Sequence, residues 1–115
     1  MTTYFGFGLA DNMFPQSCNL NRRELTPAEA KRLIEGDIAL CLNPSHTATI
    51  AAMNGRYGIF CEIPQKAATI NLQPGDALLV MGVVGLPRLE GRHEYTQQEI
   101  DAAKFRFGLW TVSAS

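Results

Sequence analysis

A chain of 115 residues with 46% hydrophobic and 18% charged residues has the size and composition of one globular domain. Intrinsic disorder is excluded, because apolar runs such as "ALLVMGVV" must be buried somewhere. A net charge of −1 excludes a general nucleic-acid binder working through a basic surface, so no double-stranded nucleic-acid partner is expected.

Three widely spaced cysteines, Cys18, Cys41 and Cys61, form no CxxC pair or His/Cys cluster. Cys41 and Cys61, in apolar runs, read as buried free thiols, the odd count argues for a reducing cytoplasm, and no metal and no cofactor is expected. The start "MTTYFGFGLADNMF" has neither the basic nor the long apolar stretch of a signal peptide. The longest apolar run, Ala77 to Leu86, is too short to span a bilayer, so no membrane partner is expected.

In chain order, "YFGFGL" (4–9) reads as a strand whose glycines mark a close approach by another group, and 10–19 as an irregular loop. Arg22 and Arg23 read as solvated. "TPAEAKRLIEG" (26–36) predicts a helix with a Thr26–Glu29 capping box, Pro27 in its first turn, and Ala30, Leu33 and Ile34 facing the core. "IALCL" (38–42) suits a buried strand. A second helix follows, capped by Ser45 and ending at Gly55, with Ile50 and Met53 inward. "GIFCEI" (58–63) and "ATINL" (68–72) read as strands, and "ALLVMGVV" (77–84), apolar on both faces, as a central one. A Thr96–Glu99 capping box opens a third helix over 96–105, and "FRFGLWTVS" (105–113) alternates as the last strand. The predicted fold is α/β: one domain over 1–115, with a mixed central sheet of five to six strands flanked by helices.

The chemistry-bearing stretch is "NPSHTATIAAMNG" (43–55). His46 falls at the mouth of the second helix, after a buried strand. Unpaired N–H groups and the helix dipole make such a place attractive to phosphate. A phosphodiester held there favours a protonated imidazole aimed at its leaving oxygen, and Ser45, Thr47 and Thr49 add hydroxyls. The competing reading is a histidine that merely helps cap a helix. "LPRLEGR" supplies Arg88, which follows the central strand and can clamp a phosphate bidentately, and Glu90, which can orient that arginine or accept a hydroxyl proton. The competing reading of "LPRLEGR" is a plain surface loop of mixed charges; Lys66 in "PQKA" is a further candidate cation, with a solvated lysine as its competing reading, and His93 reads as solvated.

The order "LADNMF", "SHTATI", "LQPGDALLV" and "RLEGRHEYTQQEI" resembles the small viral ring nucleases that act as type III anti-CRISPR proteins, over roughly residues 4–112. The resemblance implies a homodimer that binds a cyclic oligoadenylate, cyclic tetra-adenylate, in the cytoplasm (a host's, if the carrier is a virus). It implies that the dimer opens the ring without metal. A ribose 2′-hydroxyl attacks the neighbouring phosphorus and leaves a 2′,3′-cyclic phosphate. Carried over by residue, His46 is the proton donor, Arg88 stabilises the transition-state charge, and Glu90 lies beside it. Asp11 and Asn12 belong to a ligand-contacting loop. Ser45 and Ala48 stand where the family usually has glycine and a hydroxyl, Ala10 replaces a frequent serine, and Lys66-Ala67 replaces an Asn-Arg pair. These departures leave room for a related cyclic nucleotide, and the alternative to cleavage is a sponge that binds the ring without cutting it.

Overall fold

Alternating hydrophobicity in the longest strands organises the molecule. In β4 (Ala77–Val84), Leu79 and Met81 project to one face and Leu78 and Val80 to the other. In β5 (Lys104–Ala114), Phe105 and Phe107 join the first set, and Trp110 and Val112 the second. A strand apolar on both faces must be interior. β4 is accordingly the middle strand of a five-stranded mixed sheet with the order β2-β5-β4-β1-β3. β1 (Thr3–Gly6) runs parallel to both β4 and β3 (Ala39–Leu40), and β5 runs antiparallel to β4 and to β2 (Cys18–Leu25). The computed structural model describes residues 2–42, 46–62, 70–87, 89, 91 and 94–114.

The first face carries the larger core. Phe5, Leu79, Met81, Phe105 and Phe107 pack against Ala30 and Ile34 of α1 (Pro27–Ile34) and Ile50, Ala52 and Met53 of α2 (Thr47–Tyr57). Ile100 of α3 (Gln97–Ala102) joins its rim. The second face carries a smaller cluster in which Ile70 and Leu72, outside any strand, cover Leu78 and Val112. Among the described residues, helices thus lie against one face, while the other is roofed only in part. Among the described residues no helix is long and apolar enough to cross a membrane.

Both capping boxes form. Thr26 Oγ1 accepts from Glu29 N at 3.2 Å while Glu29 Oε1 accepts from Thr26 N at 3.0 Å, and Thr96 and Glu99 repeat the exchange at 3.2 and 2.8 Å. α2 ends later than expected. Gly55 lies inside the helix, and the chain turns at Gly58, whose φ of +64° suits only a residue without Cβ.

Among the described residues, the two strands expected over 58–63 and 68–72 do not form. Over 58–62 the backbone spends its hydrogen bonds elsewhere: Ile59 N donates to Asn54 O, Phe60 N to Glu35 Oε2, and Cys61 O accepts from Asn54 Nδ2. Within 68–72, the described residues 70–72 run as a cover in which Leu72 N donates to Met13 O. Residues 63, 68 and 69 of these two predicted strands lie outside the described residues. An unexpected strand, β2, instead pairs along eight residues with β5. Its sequence "CNLNRREL" is mostly polar because it is an edge strand, exposed over most of its length.

Asp76 is the buried charged residue of the described part of the chain. Its Oδ1 accepts from Thr2 N at 2.9 Å and its Oδ2 from Gln73 N at 3.0 Å, while its carbonyl accepts from Val112 N. One side chain therefore ties the start of β1 to the turn before β4. The amides of Gln73 and Thr2 hold its carboxyl below the usual aspartate range. A depressed pKa contributes stability that is present above the unfolded value near pH ~4 and is lost as pH falls through the folded value. Asp76→Asn, which cannot accept both amides, is expected to destabilise the fold by about 1–3 kcal/mol at pH 7. Denaturant titrations from pH 7 to pH 3 should show the gap to the parent protein closing below pH ~4. A gap that stays constant would contradict the role assigned to Asp76.

Candidate functional site

The site lies where the parallel pair β1 and β3 ends. Tyr4 and Phe5 of β1 stand beside Ala39 and Leu40 of β3, and Cys41 N donates to Phe5 O at 2.9 Å. Both carboxyl ends therefore open at one level, the place where α/β sheets commonly bind ligands. β1 releases the chain at Phe7, and α2 begins at Thr47.

His46 occupies the N-cap position of α2, with φ −99° and ψ 20°. Its side chain makes no capping hydrogen bond. The imidazole instead meets the Phe7 ring edge-to-face, with centroids 4.8 Å apart and planes at 86°. Phe7 is fixed in turn by an edge contact with the buried Phe5, at 6.1 Å. An aromatic pair of this geometry contributes about 0.5–1.5 kcal/mol, enough to favour one orientation of a ring that is otherwise exposed.

Beside the ring lies a cavity of about 360 Å³. Its floor is Phe7 and Cys41, and its rim is Gly8, Leu9, Ala10 and Met13. A Cβ added to Gly8 would meet nothing within 4 Å, so the rim is open there. Burial pushes the Cys41 thiol up, which keeps it protonated and a poor nucleophile. The cavity thus offers one imidazole and an apolar wall, beside the first turn of an eleven-residue helix. A helix mouth of this kind can attract an anionic group, and an imidazole there can pass a proton to it; among the described residues the cavity provides no activated side-chain nucleophile.

The expected site residues separate into groups. Thr47 and the half-buried Thr49 lie in the first turn of α2, next to His46. Asp11 and Asn12 form a single 3-10 turn, Asp11–Met13. Side chains three apart eclipse in such a turn, so Ala10 and Met13 face His46 while Asp11 and Asn12 do not. Those two line a different hollow of about 560 Å³, with Phe14, Gln16 and Leu20. The structure therefore places the expected ligand-contacting loop beside His46 but turns its two polar residues to the neighbouring hollow. Ser45, Lys66, Arg88 and Glu90 lie outside the described residues. Sequence reasoning missed Phe7 as the seat of the imidazole, although the alternation in "YFGFGL" puts Phe5 and Phe7 on one face.

Compared with known protein families and with curated proteins, the sequence matches none. Among solved structures, the fold is similar to B116 of Sulfolobus turreted icosahedral virus, with a TM-score of 0.69 over 96% of this chain and 99% of that one. Identity is 16%, so the likeness is one of fold, shared with a protein of a Sulfolobus virus.

Proposed function

We propose that this protein is a metal-independent ring nuclease that opens cyclic tetra-adenylate, or a related cyclic oligonucleotide messenger, and thereby antagonises type III CRISPR immunity. The observation that carries the reading is the placement of His46: exposed, seated on Phe7, at a helix mouth, and facing a cavity at the carboxyl ends of two parallel strands. A fold shared with a virus protein fits a viral setting.

The chemistry asks little of the protein. A ribose 2′-oxygen attacks the adjacent phosphorus, the bond to the 5′-oxygen breaks, and a 2′,3′-cyclic phosphate forms. The substrate brings its own nucleophile, so the enzyme supplies in-line positioning, charge stabilisation and a proton for the departing oxygen. His46 gives that proton. The 2′-hydroxyl proton leaves to Glu90 or to water, and Arg88 clamps the phosphate as negative charge builds. A ring with twofold symmetry suits a homodimer, which presents one His46 to each of two opposite linkages.

His46→Ala is expected to lower turnover of cyclic tetra-adenylate by a factor of roughly 10² or more, the usual contribution of a general acid, while leaving ring binding intact. Chromatography of the products with EDTA present, together with a binding titration, checks this. Tight binding with no cutting by the parent protein would leave a sponge. Phe7→Leu removes the aromatic seat but keeps the apolar wall, so kcat should fall severalfold with KM nearly unchanged. A parent-like kcat would show that the ring contact does not orient the imidazole.

A further inference from the structure

The part of the second sheet face that Ile70 and Leu72 do not cover is not a bland surface. Arg22 of β2 stands beside Trp110 of β5, and Glu24 beside Gly108. Arg22 is an exposed residue whose side chain folds back over the sheet. Its guanidinium lies across the strand, so that a Cβ on Gly108 would stand 2.6 Å from Nε. Glu24 Oε1 holds two guanidiniums at once, accepting from Arg22 at 3.0 Å and from Arg106 at 2.8 Å. These bonds keep the Glu24 carboxyl ionised, Arg106 contributing most.

By strand alternation, Lys104 shares this face with Arg106. Lys104, Arg106 and Arg22 outnumber Glu24, so the patch carries a net charge of about +2 on a chain whose total is −1. Between the cations runs a groove of about 240 Å³, with Gly82 and Val80 as floor and Trp110 at one side. Its remaining wall is Leu9, which also lines the His46 cavity. The two hollows thus share one exposed side chain as their divide. A groove with fixed cations, a bare glycine floor and a half-buried indole has the features that hold a single-stranded nucleic acid, with phosphates on the arginines and a base against the aromatic ring.

We infer that the β2–β5–β4 face is a second oligonucleotide subsite, in which the Glu24-held Arg22 and Arg106 bind the phosphates of nucleotides that pass over Leu9 from the His46 cavity. This rests on the proposed function for the identity of the ligand, but the groove is testable without any cleavage. The probe is a fluorescently labelled linear oligoadenylate, titrated by anisotropy at several salt concentrations. The parent protein is expected to bind it. Arg22→Ala/Arg106→Ala is expected to weaken binding by tenfold or more and to lower the salt slope by about 1.4, the value for two phosphate contacts on a single strand. Gly108→Ala, whose Cβ dislodges the Arg22 guanidinium, should act in the same direction with both arginines still present. Arg56→Ala on α2 should change nothing.

No binding by the parent protein at low salt, or equal binding by the double variant, overturns the inference. So does a double variant that retains strand binding but changes from dimer to monomer in sedimentation, since the face would then be a contact between copies. Ring cleavage at an unchanged KM by the double variant also sinks the subsite while leaving the nuclease reading intact. Arginine-dependent strand binding by a protein that leaves the ring whole has the opposite meaning: the groove stands and the nuclease reading falls.

Discussion

The bond from Cys41 N to Phe5 O closes the last rung between β1 and β3, and most of the candidate site follows from it. Parallel pairing brings the carboxyl ends of the two strands level. The chain leaving β1 carries Phe7, and the chain leaving β3 leads to the mouth of α2. The two ring systems meet because the strands that deliver them are in register. An antiparallel pairing would have put these ends on opposite sides of the sheet. The site is thus a consequence of topology before it is one of side-chain chemistry, and among the described residues it is an aromatic neighbour, Phe7, that orients the imidazole.

Much of this was legible because several signals act locally. The two T-x-x-E boxes each satisfy helix amides within four residues, so nothing distant can override them, and both form. The two-sided apolar pattern of 77–84 has only one place to go in a sheet, the middle. The sequence puts His46 within one residue of its N-cap position, since the strand-to-helix turn constrains it from both sides.

The failures have a common physical origin in partners remote in sequence. β2 is held by β5, more than eighty residues away, and its polar surface hides it from any hydrophobic pattern. The apolar residues Ile59, Cys61, Ile70 and Leu72 carry a strand-like pattern because they are buried. Burial is what the pattern reports, whereas a strand also needs a free neighbouring edge, and here Asn54, Glu35 and Met13 take the hydrogen bonds. Arg22 is exposed, as its sequence suggests, but nothing nearby in sequence reveals that Gly108 leaves room for its guanidinium over the sheet. The division of Asp11 and Asn12 from His46 depends on the threefold repeat of one short turn, which a loop reading does not resolve.

The central claim is that the substrate attacks itself while the protein supplies position and a proton. Mass spectrometry of the products formed from cyclic tetra-adenylate in water enriched in heavy oxygen tests it most directly. The account predicts linear fragments with 2′,3′-cyclic phosphate ends that carry no heavy oxygen, because the attacking oxygen belongs to the ribose. Heavy oxygen in the phosphate of the first-formed product, or a ring that stays closed, would contradict it.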